Sequence, residues 1–337
     1  MDHLPEKIYG YVDLSGYAFT GKHAYIDLFR EFKGYYVPHF QYEFNLIRIQ
    51  GGLRDLETAL VDDWSPIRSN AAIQRFRKLV RRLGSKNSWV DPRTWFAATG
   101  WNYNDYFHGR FFELSEKYLA SLIEAQWTTE WPYPQAEVSD LELFWRKLKH
   151  LLKIKTAYDF PISLAAPEDF LKLTREYLNG LLGAFLPEEA GQSHTVVMHN
   201  SFEPFHPGRA LRYFHSAKCI LVDRDPRDCY VDGLWYRPVA LPVNEFIKRF
   251  RLYRRKAHQH EDPPQILRLQ FEDLVMDYDR TVKRVLDFLG EGPSVHVQPR
   301  RYFDPSISCK NVGKWKNYEK PAEIERIYRE LKEFCYE

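Results

Sequence analysis

Cysteine is scarce in this chain, at 4 residues in 337. That excludes a disulfide-stapled scaffold, which crowds its cysteines into a short secreted sequence. Cys219, Cys229, Cys309 and Cys335 nowhere form a CxxC pair, so no structural zinc site is expected. Cys219 sits in an apolar run and is read as a buried thiol. An excess of one charge is lacking too. Lys and Arg number 48 against 46 Asp and Glu, a net +2, so no global field draws the protein to a nucleic-acid polyanion. Nucleic acid is not an expected partner, and any anion site must be local. No run approaches the ~18 apolar residues that span a bilayer, so no transmembrane segment is expected. Met1 to Lys7 show no cationic stretch leading into an apolar one, which argues against a secretory signal. The expectation is a cytoplasmic protein.

What the chain does have is ordinary globular content and many rings. Hydrophobic residues make up 44% and charged residues 28%, values that exclude a disordered or collagen-like polymer. Aromatics reach 16%, with Trp 9, Tyr 22 and Phe 23. Ile8 to Leu14 reads as a strand, and apolar residues at helical spacing follow from Ala24 to Phe32. Tyr35 to Ile49 is rich in β-formers and is expected to supply a second strand. Asp55 to Leu83 reads helical, and its basic end, Arg75 to Arg82, reads as a solvated face. Residues 84–186 form a helical, aromatic-rich insertion carrying Trp89, Trp95, Trp101, Trp127, Trp131 and Tyr133. Pro132, Pro134 and the Asp159-Phe160-Pro161 segment interrupt it. Strand patterns return at Thr195–His199, Cys219–Val222 and Ile266–Phe271, and Tyr278–Leu289 reads as an amphipathic helix. Strands alternating with helices predict an α/β fold with a central parallel sheet flanked by helices, its ligands bound beyond the carboxyl ends of the strands. Residues 1–337 are expected to form a single such domain, with 84–186 as its acceptor wall or lid.

Gly16-Tyr17-Ala18-Phe19-Thr20-Gly21-Lys22-His23 matches G-x-x-x-x-G-K between a strand and a helix. Backbone N–H groups and a helix N-terminus bind phosphate in such a loop, and the lysine neutralises its charge. His23 stands where a nucleoside triphosphatase has the hydroxyl that holds Mg²⁺, and Mg²⁺ prefers oxygen ligands. The loop therefore suits a phosphate-containing donor handled without a metal. Arg224, after the strand Cys219–Val222, can present a bidentate fork to a second phosphate; taken alone, the turn Arg224-Asp225-Pro226-Arg227-Asp228 is also compatible with surface Arg–Asp pairs. Lys310, Gly313, Lys314 and Trp315 place cations, a flexible backbone position and a ring in one loop, either a nucleotide clamp or a plain lysine-rich loop.

In this order the segments resemble the sulfotransferase family, whose donor is 3′-phosphoadenosine 5′-phosphosulfate. The resemblance rests on the strand–loop–helix at the N-terminus and the Arg-x-Pro-x-Asp turn at Arg224. It rests also on Phe271-Glu272-Asp273-Leu274 with Phe288-Leu289-Gly290, and on Gly313-Lys314-Trp315-Lys316-Asn317-Tyr318. It implies a three-layer, P-loop nucleotide-kinase-like fold. Thr20, Gly21, Lys22 and His23 would lie at the 5′-phosphosulfate, and Arg224, the position of Asp232, Lys310, Gly313, Lys314 and Trp315 at the 3′-phosphate and nucleoside. The product would be adenosine 3′,5′-bisphosphate, and no metal would be required. The sequence departs from the family pattern at Phe19, where a basic residue is usual. It departs again at Asp232, where the family has a serine that a 3′-phosphate would welcome more than a carboxylate.

Sulfuryl transfer needs the departing charge stabilised, the acceptor oxygen aligned and its proton removed. Lys22, His23 and the loop N–H groups suit the first task. His199, at the end of an apolar strand and with a suitable unperturbed pKa, and Glu43 are the candidate bases, followed by His206, Glu203 and Asp13. The aromatic insertion points to a small-molecule acceptor, with a preference for a saccharide or lipid-linked saccharide. Two other readings stay open. One is a P-loop kinase using ATP and Mg²⁺, with Asp223 as the magnesium-organising acid. The other is a catalytically inactive nucleotide-binding module of the same fold.

Overall fold

Gly10–Gly16 forms strand β1, and its residues Tyr11 to Ser15 are all buried. The structure is a computed structural model describing residues 7–38, 43–87, 99–129, 139–154, 160–186, 194–236, 240–257 and 262–337. The chain divides into two compact units, 1–45 with 186–337, and 46–185.

The first unit holds a five-stranded sheet. Its strands are β1, β2 (Tyr35–Tyr36), β5 (Thr195–His199), β6 (Ser216–Asp223) and β7 (Ile266–Gln270). The order is β2-β5-β1-β6-β7 and every pairing is parallel. Register is set by the pleat. Val12, Leu14, Val197, Ile220, Val222 and Leu269 point to one face and pack on Tyr25, Leu28 and Phe29 of the helix Lys22–Phe29 and on Val282, Val285 and Leu286 of the helix Tyr278–Leu289. On the other face Tyr11 stacks on Phe214, ring centroids 4.2 Å apart. A further core joins Tyr230, Phe246, Phe250, Ile327 and Leu331 from the helices Pro226–Trp235, Val243–Ala257 and Pro321–Leu331. The expected fold class, a central parallel sheet flanked by helices with a helical aromatic-rich insertion, is what the chain adopts.

Tyr35 to Ile49 does not form the long strand expected. Among the described residues only Tyr35 and Tyr36 form a strand there, paired with Thr195 and Val196, and Glu43 makes an isolated bridge with His199. Pro38 follows at once, and a proline lacks the N–H a ladder needs; residues 39–42 lie outside the described residues, and Asn45–Arg48 is a turn. The helix expected over Asp55–Leu83 is also split. Leu53–Glu57 runs into a π-helical turn, Thr58–Asp62, and a new helix starts at Pro66. Ser65 caps that start, its Oγ accepting from Arg68 N at 3.2 Å, and Pro66 fits a first turn that needs no N–H donor.

In the second unit the helix Pro66–Gly84 exposes Arg75, Lys78, Arg81 and Arg82 while burying Phe76, Leu79, Val80 and Leu83, the solvated basic face that was expected. The helices Phe111–Leu122 and Phe170–Phe185 pack through Tyr118 stacked on Tyr177 at 4.4 Å. Strands β3 (Ile123–Thr129) and β4 (Phe160–Ala165) add an antiparallel pair to a segment read as helical. Trp89, Trp95, Trp131, Pro132, Tyr133, Pro134 and Asp159 lie outside the described residues.

Glu31 closes the first unit. Its buried carboxylate accepts from His296 Nε2 at 2.8 Å, Tyr278 Oη at 2.7 Å and the N–H groups of Arg300, Tyr302 and Phe303 at 3.1, 3.0 and 3.0 Å. Burial alone would raise its pKa, but these donors together hold it below the ordinary 4.5. Glu31→Ala should lower the unfolding free energy at pH 7 by about 3–5 kcal/mol, because it leaves several buried donors without their acceptor. A depressed carboxylate stabilises above its unfolded pKa, and that stabilisation fades as pH falls through the folded value. Urea melts of both proteins at pH 7 and pH 3 should therefore show the gap narrowing at pH 3; an unchanged gap would contradict the assignment.

Candidate active site

The carboxyl ends of β1, β5 and β6 lie side by side. The β1 loop is built on two glycines that cannot be replaced. A Cβ on Gly16 would stand 2.8 Å from Val222 O, and one on Gly21 would stand 2.5 Å from the Phe271 ring. Gly21 also has φ +74°, a left-handed conformation open mainly to glycine. Lys22–Phe29 follows as a helix, whose first N–H groups have no intrahelical acceptor and carry the positive end of its dipole. Thr20 Oγ1 is buried with no hydrogen-bond partner among the described residues. A hydroxyl donor, orphan N–H groups and the Lys22 ammonium in one loop make a donor set that fits a phosphate or phosphosulfate. His23 follows with its ring edge-on to His199, centroids 5.5 Å apart. Desolvation of the ring, and secondarily Lys22, lower its pKa, so His23 is neutral at pH 7.

At the end of β5, His199 is buried, and Asn200 after it takes φ +53°. Glu43 forms an isolated parallel bridge with His199. Its Oε1 accepts from Asn200 Nδ2, and its Oε2 from Asn45 Nδ2 at 3.4 Å. The structure therefore brings Lys22, His23, Glu43 and His199 to one edge. Asp13 is different. Fully buried inside β1, it accepts from Ser15 Oγ and from Ser201 N at 2.8 Å, and burial pushes its pKa up to about 6. It fixes the turn after β5. Glu203 and His206 lie on the next turn, where His206 N–H donates to Glu203 O at 3.0 Å.

Arg224 follows β6 and is 4% exposed. Its Nη1 donates to Phe19 O at 3.1 Å and Asp232 Oδ2 at 2.6 Å, and its Nη2 to Asn311 O at 2.5 Å. The guanidinium lies 5.1 Å from the Phe271 ring centroid. Lys314 Nζ donates to the other oxygen of Asp232 at 2.9 Å. Trp315 carries the Arg227 guanidinium 4.0 Å from its ring centroid, so that ring face is already covered. Gly313 has φ +75°. Lys310 is exposed and forms no ion pair among the described residues.

Two supports were quoted in motifs without a role. Asp228 accepts from Gly313 N at 2.7 Å and Trp315 N at 3.0 Å, so the arginine turn holds the C-terminal loop. Glu272 accepts from Asp225 N at 2.9 Å, and burial pushes its pKa up to about 7. Asp225 in turn accepts from Arg227 N at 2.8 Å, from Arg227 Nη2 at 2.5 Å and from Tyr336 N at 3.1 Å. The signal was present: a carboxylate among apolar residues next to a strand end has to be satisfied by something.

Residues 114–292, just over half of the chain, match the model of the sulfotransferase family. The chain belongs to that family. The matched stretch contains His199, Arg224 and Asp232, while the phosphate loop and the 310–315 loop lie outside it. No curated relative matches the chain. Among solved structures it is similar to the sulfotransferase domain of the Synechococcus PCC 7002 olefin synthase, at 14% identity and TM-score 0.42, over 100% of this chain and 98% of that one. It is similar also to the sulfotransferase domain of the curacin biosynthetic pathway, at 14% identity and TM-score 0.40, over 97% of this chain and 98% of that one. A third is retinol dehydratase, solved with androsterone and the inactive cofactor PAP, at 14% identity and TM-score 0.34, over 96% of this chain and 80% of that one.

Asp228→Ala should release the C-terminal loop. Each N–H left without its acceptor costs about 1–3 kcal/mol, and amide exchange at Gly313 and Trp315 should quicken by about tenfold or more. Unaltered exchange at both amides would mean the loop is held by something else.

Proposed function

We propose that this chain moves a sulfuryl group from 3′-phosphoadenosine 5′-phosphosulfate to a hydroxyl or amine of a small-molecule or saccharide acceptor. One contact carries the reading. Arg224 Nη1 donates to the carbonyl of Phe19, so the cation suited to one phosphate and the loop suited to the other are joined directly. Thr20, Gly21, Lys22 and His23 would bind the 5′ end, and Arg224 with Lys314 the 3′-phosphate. Lys310, Gly313 and Trp315 complete the proposed nucleotide loop, with Asp228 holding it in position.

His199 is the proposed base. Its rival Glu43 has an amide on each carboxylate oxygen, which stabilises the charged form and weakens it as a proton acceptor. His199 would take the acceptor's proton as the new oxygen–sulfur bond forms, while Lys22 meets the charge that the departing phosphate gains. The acceptor is assigned to a sugar-like or lipid-like surface because Trp101 and Trp127 are 36% and 44% exposed, and flat rings suit such faces. The kinase reading loses support at Asp223, whose carboxylate is already in an ion pair with buried Arg254. A magnesium-organising acid would have to be released from that pair.

Two measurements test the proposal besides an acceptor screen with labelled donor. By calorimetry in EDTA, Arg224→Ala should weaken adenosine 3′,5′-bisphosphate by about 2–4 kcal/mol, the loss expected for a buried charge pair, and weaken adenosine 5′-phosphate far less. Equal losses for both ligands would remove Arg224 from the 3′-phosphate. Lys22→Ala should cut kcat by about 10²–10³-fold, the scale of one lost oxyanion donor, with donor affinity falling much less, because an interaction that grows with transition-state charge acts on kcat. A rise in donor KM with kcat intact would make Lys22 a uniform anchor instead.

A further inference from the structure

Asp232 occupies an unusual place for a carboxylate. It sits on the helix Pro226–Trp235 and bridges two cations, one oxygen to Arg224 at 2.6 Å and the other to Lys314 at 2.9 Å. Those are the cations that the proposed function gives to the 3′-phosphate. The bridging carboxylate already supplies them with an anion, in the two-cation geometry a phosphate would adopt. Beside the pair opens a cavity of about 540 Å³ lined by Phe19, Val231, Asp232, Trp235 and Lys314. It is within the size range of small-ligand sites, and Trp235 is 86% exposed at its rim. Rings and an aliphatic side chain thus surround one carboxylate and one ammonium.

A phosphate that engages Arg224 and Lys314 has to share them with Asp232, and two anions sharing one pair of cations repel each other. A hydroxyl meets no such barrier, since a carboxylate accepts its hydrogen bond. Dinucleotide-binding folds separate a ribose hydroxyl from a ribose phosphate by the same contrast between an acid and an arginine.

We propose that Asp232 is a specificity-determining residue, an internal counter-ion that competes with the ligand's 3′-phosphate for Arg224 and Lys314 and so limits the protein's preference for 3′-phosphorylated nucleotides. The inference rests on the proposed function, because it takes Arg224 to be the 3′-phosphate partner. Binding of adenosine 3′,5′-bisphosphate then includes the displacement of Asp232 from both cations, a step that adenosine 5′-phosphate does not require.

The test is calorimetry of the full chain with both nucleotides, for the natural protein and for Asp232→Ser, Asp232→Asn and Arg224→Ala. Asp232→Asn keeps the shape of the side chain while removing its charge and turning one acceptor oxygen into an N–H donor, so it serves should the serine variant fold poorly; thermal melts check each protein. Both Asp232 variants should bind adenosine 3′,5′-bisphosphate at least about tenfold more tightly, a modest share of the cost of juxtaposed like charges. Adenosine 5′-phosphate should move by no more than about twofold, the scale of a rim contact. If the folded Asp232 variants bind the bisphosphate no better or more weakly, while Arg224→Ala still weakens it, Asp232 merely positions Arg224 and the inference is overturned alone. If Arg224→Ala leaves bisphosphate binding unaltered, the 3′-phosphate does not sit on this pair, and the underlying assignment falls with it.

Discussion

The Arg224 guanidinium is the interaction on which the site depends. It is buried, and a buried cation is tolerated only when its donors are met by oxygens in good geometry. The partners come from far apart in the chain: the Phe19 carbonyl after β1, Asp232 one element later, and the Asn311 carbonyl before the C-terminal loop. The Phe271 ring at the end of β7 covers it. Meeting the Nη donors of one side chain, whose Nε has no partner among the described residues, therefore fixes four segments together. The phosphate loop, the arginine turn and the C-terminal loop are not three sites that happen to be neighbours; they are three contributors to a single buried charge.

The buried carboxylates of the first unit have divergent fates. Glu31 collects enough donors to stay ionised despite burial, whereas Asp13 and Glu272 receive fewer and are pushed up to about 6 and about 7. The difference follows from the balance between desolvation and hydrogen bonding to the charged form. Glu31 ties the end of the first helix to the segment 296–303. Asp13 ties β1 to the turn after β5, and Glu272 ties the helix Phe271–Met276 to the arginine turn. Each is a polar staple between elements whose apolar contacts alone do not fix the angle of approach.

Much of the central unit was legible in the sequence, because its signals are local. Tyr278–Leu289 was readable from spacing alone, as was Thr195–His199 from its apolar run. Gly16 and Gly21 marked a tight loop after β1, and the structure adds the reason, a carbonyl and a ring too close for any Cβ. Pro38 and the Ser65-Pro66 pair mark the two breaks that overall β-richness and helical spacing mask, since a proline lacks the N–H that a ladder or a helix interior needs. Strand β3 was hidden differently. Ile123, Ala125 and Trp127 alternate with polar residues, but the pattern abuts the helix Phe111–Leu122 with no turn between. For Asp228 and Glu272 the need for a partner was legible, but the partner was not. Their partners lie 85 or more and 47 residues away, and no local pattern encodes a contact at that distance. The Asp232 departure was visible as an awkward residue; only the geometry shows it bridging two cations.

The strand order has a consequence for how this protein is made. β1 precedes in the chain both of the strands it pairs with, β5 and β6, and is the middle strand of the sheet. Almost 180 residues separate β1 from β5, and at 5–20 residues per second their synthesis takes roughly 10–35 s. During that interval a strand of apolar and ring-bearing residues has no edge to join. The nascent chain must be kept from pairing with other chains for tens of seconds, a demand that falls on chaperones. The loop after β1, though it precedes β5 and β6 in the chain, can take its final shape only once both have arrived.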